Sequence, residues 1–198
     1  MAAPPRGAAP SWLWASWETT NRTPCSGGPW STATAAHQIE GGNVNNDWWA
    51  WEHAPGTVVA EPSGDACDSW HRWADDVEMI RGLGVGGYRF SVEWSRLEPE
   101  PGLWSHAACD RYLRQCEALV EAGIRPTVTL HHFTTPRWAV ADGGWTDPDI
   151  VGRFGEFAHR IAERLAPVVD RFCTLNEPNV VATMGYLMGL FPPGVAND

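Results

Sequence analysis

The sequence predicts an α/β fold built on a parallel sheet. Short segments rich in β-branched and aromatic residues alternate with longer segments whose apolar residues recur at helical spacing, in the order β-α-β-α-β-α-β. Polar side chains cluster after each predicted strand, as expected where parallel strands present their carboxyl ends at one edge. No glycine-rich phosphate loop follows the first strand, and this absence disfavours a dinucleotide-binding fold.

The amino-terminal part of the chain predicts an irregular leader, a strand and a long loop. Residues 1–29 are rich in Pro, Gly, Ser, Ala and Trp without a period, which indicates an irregular leader compatible with disorder. Residues 31–39 are small and apolar and predict the first strand, which delivers Gln38 at its end. Residues 41–69 form a long loop that contains Trp48, Trp49 and Trp51. So many indoles argue against disorder, and packing within the loop is favoured as their role over stacking on a ligand.

Three helices and three more strands follow. Asp68 or Ser69 caps a helix that runs to about Gly82, and Gly123 ends the second helix. Asp147 reads as the cap of the third helix, with Pro148 at its first position. The predicted strands are 84–92, 125–131 and 168–176, the second and third helices cover 107–122 and about 148–165, and 177–198 reads as loop.

Composition excludes several classes of function. The net charge of −10 disfavours a nucleic-acid surface and favours a neutral ligand. No apolar run approaches the roughly 20 residues that a membrane span needs. The five cysteines are scattered, without a paired motif, so we expect neither a disulfide framework nor a zinc site, and a reducing cytoplasm fits best.

The stretch that carries the most chemistry is R-F-C-T-L-N-E-P, residues 171–178. It reads as a buried strand that ends in Asn176 and Glu177, and the carboxyl end of a parallel strand is where an α/β barrel keeps its catalytic groups. A glutamate there can act as a general acid, and the neighbouring asparagine can bind a substrate hydroxyl. A solvated glutamate after a core strand explains the same octapeptide about equally well.

Other candidate residues are equally open when each is taken alone. Gln38 could be an ordinary strand-end hydrogen-bonding residue, and Arg89 could form a structural ion pair. His131 and His132 could be one core and one surface histidine. Glu93 follows the second strand, but we leave it outside the catalytic set.

Four segments, in order, resemble glycoside hydrolase family 1, the β-glucosidase and β-glycosidase family. They are T-A-T-A-A-H-Q-I-E-G-G at 32–42, Y-R-F-S-V-E-W-S-R-L-E-P at 88–99, V-T-L-H-H-F-T-T-P-R-W at 128–138 and T-L-N-E-P at 174–178. The resemblance implies a (β/α)₈ TIM barrel, of which residues 30–198 would hold about the first four β/α units. A complete barrel usually needs about 250 residues, so we expect a partial barrel, the amino-terminal half.

The resemblance also assigns roles to residues and implies no cofactor and no metal. Glu177 would be the general acid/base, and Asn176 would hold the 2-hydroxyl of the sugar. Gln38 and His132 would bind other sugar hydroxyls, with His131 supporting His132. Arg89 looks like the arginine that neighbours the nucleophile. Phe133 departs from the family, which often has Trp there.

One part of the family pattern has no counterpart in this sequence. The family's nucleophile is a glutamate in a T-E-N-G-like segment, and these 198 residues contain no such segment. We therefore expect a truncated retaining β-glycosidase that is inactive alone, or alternatively a sugar-binding fragment without catalysis. Its expected partner is a small β-glycoside or oligosaccharide, not nucleic acid or membrane. Open sheet edges would favour self-association.

Overall fold

A computed structural model describes residues 28–196, which form a four-stranded parallel sheet in the order β1-β2-β3-β4. Each strand pairs in parallel with the next strand along the chain. The helices pack beside the sheet, so the predicted α/β architecture is confirmed. The strands are β1 Gly28–Ala33, β2 Val85–Ser91, β3 Arg125–His131 and β4 Phe172–Leu175.

Three long helices connect the strands, and shorter helices lie in the loops. A 3₁₀ turn at Gly144–Thr146 and a π-helical segment at Val181–Leu187 complete the described elements. Among residues 28–196, no helix combines the length and the apolar character needed to cross a lipid bilayer. The helices are α1 Ala36–Ile39, α2 Asp47–Glu52, α3 Ser69–Gly82, α4 Trp94–Leu97, α5 His106–Glu121, α6 Arg137–Ala141, α7 Ile150–Leu165 and α8 Pro178–Val180.

The hydrophobic core lies between the central strands and helices α3, α5 and α7. Val128 on β3 and Leu119 on α5 are fully buried there. Trp94 stacks on Phe157 of α7 at a ring-centroid distance of 4.9 Å, and the edge of Trp138 meets Trp94 at 5.8 Å. Such aromatic pairs contribute about 0.5–1.5 kcal/mol beyond the area they bury. The packing therefore fixes the loop after β2 against α7.

The prediction of a strand over 31–39 is wrong in its second half. The strand ends at Ala33, and α1 begins at Ala36. The backbone N–H of Ala36 donates to Ser91 Oγ at 2.7 Å, which takes it out of any strand ladder. Alanine-rich sequence fits a helix as well as a strand, so periodicity could not separate them. Gln38 consequently lies on a helical turn.

Other helices and strands begin or end at residues that differ from the predicted ones. The amide groups of Val168 and Val169 bond back to the carbonyl of Leu165, so β4 is shorter than the predicted 168–176. The third long helix begins at Ile150 and not at Pro148, with Asp149 at its N-cap position. The predicted loops at 41–69 and 177–198 contain α2, and α8 with the π-helical segment. The predicted leader lies outside the described residues, except that Gly28 and Pro29 belong to β1.

Candidate active site

Two non-glycine residues with left-handed backbones bring the ends of β3 and β4 together. Phe133, two residues past β3, has φ 68°, and Glu177, two residues past β4, has φ 47°. The N–H of Asn176 donates to the carbonyl of His131 at 2.9 Å, which extends the strand pairing by one bond. Left-handed backbone in non-glycine residues is uncommon and is concentrated at functional sites. Each turn follows a residue whose side chain joins the site: His132 and Asn176.

A chain of polar contacts connects three strands through these side chains. Arg89 Nη1 donates to Asn176 Oδ1 at 2.8 Å, although β3 lies between their strands. Because a guanidinium can only donate, this bond fixes the amide so that Asn176 Nδ2 faces His132 Nε2, at 3.4 Å. His132 Nε2 therefore acts as the acceptor, and the ring proton lies on Nδ1.

The two histidines at the end of β3 are both held neutral near pH 7. Burial, helped by the charge of Arg89, lowers the pKa of His132 to about 4. Burial, helped by His132, lowers the pKa of His131 to about 3. His131 Nε2 lies 3.3 Å from Thr135 Oγ1, which accepts a hydrogen bond from Trp145 Nε1 at 3.1 Å. His131 thus anchors the loop after β3, and His132 faces the site.

A cavity of about 250 Å³ adjoins this chain of contacts. Gln38 and His132 share it, and Phe133 and Trp48 supply aromatic walls. The volume lies slightly below the roughly 300 Å³ at which ligand pockets begin, a size suited to a small polar ligand. Trp48 also meets the edge of Phe191 at 5.0 Å, so the same indole packs the loop and lines the cavity.

A second network, which the sequence did not predict, fixes the wall of the cavity. Asn46 Oδ1 caps α2 by accepting from the Trp49 N–H, so its Nδ2 faces His37 Nδ1 at 3.1 Å. His37 Nε2 then donates to Glu52 Oε1 at 2.7 Å. Burial opposes the ionisation of Glu52, but hydrogen bonds from Ser63 and His37 outweigh it and lower the pKa of Glu52. The only sequence signal was His37 beside Gln38, because the contact depends on how α2 folds back.

The remaining acidic candidates occupy different surroundings. Glu177 follows Asn176 directly, but its side chain is exposed and makes no hydrogen bond or ion pair within the described residues. Glu93 is fully buried and accepts from the hydroxyls of Ser95 at 2.8 Å and Thr134 at 2.9 Å. Glu93 therefore ties the loop after β2 to the loop after β3.

The structure thus brings Arg89, His132 and Asn176 into contact and places Gln38 in the cavity beside His132. It leaves the Glu177 carboxylate apart from them, at the same end of the sheet. Within residues 28–196, no group of three or more His, Cys, Asp or Glu side chains could hold a metal ion. The arrangement can bind a polar ligand by hydrogen bonds, with one carboxyl group at its margin.

The sequence model of Glycosyl hydrolase family 1 matches residues 26–198. The chain belongs to this family. It is 39% identical over 173 residues to Beta-glucosidase A of Thermotoga maritima, covering 84% of this chain and 39% of that protein. It is also 40% identical over 176 residues to the Lactase/phlorizin hydrolase of Homo sapiens, covering 85% of this chain and 9% of that protein.

Solved structures of this family agree with the fold. The Thermotoga maritima β-glucosidase in complex with castanospermine superposes with a TM-score of 0.82 at 37% identity, covering 90% of this chain and 42% of that chain. The β-glycosidase from Pyrococcus horikoshii superposes with a TM-score of 0.80 at 38% identity, covering 88% of this chain and 41% of that chain. The family 1 chain therefore has the predicted partial-barrel fold, and it spans about two fifths of the length of these β-glucosidases.

Proposed function

We propose that this family 1 chain carries the acid/base half of a retaining β-glycosidase site, which hydrolyses terminal β-linked sugars in carbohydrate metabolism. The observation that carries the proposal is the contact chain Arg89–Asn176–His132 at the carboxyl ends of the strands, with Glu177 next to it in sequence. These donors and acceptors suit a neutral polyhydroxyl ligand, which is held by hydrogen bonds and not by charge.

In this proposal each residue has a separate task. Gln38 and His132 bind hydroxyls of the terminal sugar from the shared cavity. Asn176, with its oxygen occupied by Arg89 and one amide N–H directed at His132, keeps the other N–H for the 2-hydroxyl. Glu177 protonates the leaving oxygen and later deprotonates the water that releases the sugar. Solved complexes of the Thermotoga maritima enzyme with castanospermine and deoxynojirimycin support a sugar-like ligand.

The reaction needs a second carboxylate about 5–5.5 Å from the first, which forms the covalent intermediate. None of the 198 residues lies in a T-E-N-G-like segment. In this proposal the nucleophile comes from polypeptide other than these residues, and Arg89 is its neighbour. The second candidate function is sugar binding without turnover, which the preformed contact chain and the exposed Glu177 favour.

We place the protein in a reducing cytoplasm, which suits the free Cys67, Cys109, Cys116 and Cys173.

A chimaeric protein tests the proposal. Residues 26–198 would replace the matching part of Thermotoga maritima Beta-glucosidase A, which supplies the remaining barrel. We expect hydrolysis of an aryl β-glucoside by the chimaera and none by the 198-residue chain. Glu177→Gln should abolish turnover of substrates with poor leaving groups, and Glu163→Gln, on the exposed side of α7, serves as the matched control. The proposal would be refuted if the Glu177→Gln chimaera kept full activity on substrates with poor leaving groups.

We also propose that the 198-residue chain self-associates. Within the described residues, β1 and β4 each pair with only one other strand, so each leaves an open edge. Trp30 on β1 is 77% exposed, and exposed strand edges with large apolar side chains pair readily with other chains. The association would be concentration-dependent, because it joins separate chains.

A further inference from the structure

A groove of about 620 Å³ lies apart from the proposed site, and none of the five predicted site residues lines it. Loop residues 42–45 form one wall, and α3, α4 and α5 form the others. Three of the 14 arginines line it, with no aspartate or glutamate, although the chain has 24 acidic residues. Positive charge is thus concentrated in one place on an acidic protein: Arg96, Arg111 and Arg114.

Two of these guanidinium groups are held in place around one indole ring. The Cζ atoms of Arg96 and Arg111 lie 4.1 Å and 4.8 Å from the centroid of Trp70. Arg111 also donates to the carbonyl oxygens of Trp70 at 3.1 Å and Ser69 at 2.6 Å. A planar fork that is already fixed loses little conformational entropy when it binds an anion. Arg111 also donates to Gln115 Oε1, so each of its three nitrogens already has one partner, and only the second N–H of each Nη atom remains for a ligand, in a fixed direction.

One buried carboxyl group, that of Glu40, lies behind the groove and pairs with only one of the three arginines, Arg96. Arg96 Nε donates to Glu40 Oε2 at 3.1 Å, and Tyr112 donates to Glu40 Oε1 at 2.7 Å. Burial raises the pKa of Glu40, and the charges of Arg96 and Arg111 oppose this rise. Arg96 also donates to the carbonyl of Gly41 and keeps further N–H groups for a ligand.

The third arginine is exposed at the edge of the groove, where its charge also acts on Asp110. Arg114 lies on α5, one turn beyond Arg111, and it is exposed. It makes no hydrogen bond or ion pair within the described residues. The first turn of α5, which has no acidic residue, also lines the groove and adds a weak positive end. An anion in the groove would thus meet two fixed guanidinium groups and one adjustable group.

We infer that this groove binds an organic anion, a phosphate or carboxylate group on a polar body about the size of a monosaccharide. Guanidinium groups bind both kinds of anion through paired N–H donors. A neutral sugar fits less well, because Arg96 and Arg111 already contact the Trp70 ring on which a sugar would stack. The inference does not depend on the proposed glycosidase activity, since the two sites share no lining residue among those predicted.

The test follows the indole N–H signal of Trp70 by NMR while the 198-residue chain is titrated. Glucose 6-phosphate and glucuronate are the charged probes, and glucose is the uncharged comparator. We expect saturable shifts with at least one charged probe, weakening in about 0.3 M NaCl, where the Debye length is below about 8 Å. Arg114→Gln should weaken binding roughly tenfold, the loss of one charged hydrogen bond.

Arg125→Gln is the matched control, because Arg125 is exposed at the start of β3 and does not line the groove. It should bind like the parent chain. Binding of only one charged probe would support the inference and identify the anionic group. The inference would be overturned by equal binding of glucose, by equal weakening in Arg125→Gln, by unchanged binding in Arg114→Gln, or by no shift with either anion.

Discussion

Replacing Arg89 by methionine tests the contact chain that links β2 to the ends of β3 and β4. The substitution removes the guanidinium that donates to Asn176 Oδ1 at 2.8 Å and keeps an unbranched apolar stem. A hydrogen bond from a charged donor contributes about 1.5–3 kcal/mol to stability. Because Arg89 and Asn176 are only partly buried, we expect the free energy of unfolding to fall toward the lower end, about 1.5 kcal/mol.

The same substitution has an electrostatic effect on His132. Burial is the larger cause of the pKa of about 4 at His132, and the charge of Arg89 adds to it. Without Arg89, the pKa of His132 should rise but stay below its ordinary value of 6.5, because burial remains. The lowered pKa means that the free energy of unfolding decreases as pH falls from 6.5 toward 4, because the unfolded chain binds the proton first. In Arg89→Met this decrease should still begin near pH 6.5, but it should end at a higher pH and be smaller in total.

Two measurements check this prediction. NMR titration of the imidazole signals reports the pKa of His132, and urea unfolding at neutral pH reports the change in stability. Arg125→Gln removes an exposed arginine of β3 and should alter neither quantity. An unchanged pKa of His132 in Arg89→Met, or an equal rise in the control, would refute the assigned contact.

Two further predictions concern stability and assembly. Asp47 Oδ1 accepts from the N–H groups of Trp48 and Thr135, and burial raises the pKa of Asp47 from 3.8 to about 8. Its contribution to stability is therefore complete below about pH 4 and is lost as pH rises toward 8. Asp47→Asn keeps an acceptor, so at pH 8 its free energy of unfolding in urea should exceed that of the parent chain by on the order of a few kcal/mol. Parallel pH profiles of the two proteins would contradict this prediction. Sedimentation should show concentration-dependent assembly of the 198-residue chain, and a compact monomer that melts cooperatively would count against the open edges.

Local sequence signals predicted where several helices and strands begin or end. Helix α3 begins after Asp68, although the Asp68 side chain makes no capping hydrogen bond. Gly123 follows the second long helix with a positive φ of 75°, and strand β3 begins two residues later. The prediction over 31–39 was wrong because the decisive contact comes from Ser91, 55 residues away. No window of the sequence contains that hydroxyl together with the amide of Ala36, so local propensity alone could not place the end of β1.

The sequence likewise predicted some residues of the candidate site but not the contacts between them. The positions of His132 and Asn176 follow from the rule that parallel strands present their carboxyl ends at one edge. The contact between Arg89 and Asn176 spans 87 residues and passes over β3, so it required the sheet order. Glu52 was missed because its contact with His37 depends on α2, which the sequence reading placed in a loop.

Within the described residues, the proposed sugar-binding side chains are held in position by hydrogen bonds, whereas the proposed general acid is not. Arg89, Asn176 and His132 are oriented by each other, and the direction of each proton follows from an arginine that can only donate. Glu177 has no such partner, and it is exposed. The general acid of a glycosidase usually lies in a buried environment, and the Glu177 side chain is exposed among residues 28–196. Weak sugar binding without turnover is therefore the behaviour expected of the 198 residues themselves, and the chimaera should convert it into hydrolysis by enclosing the same glutamate.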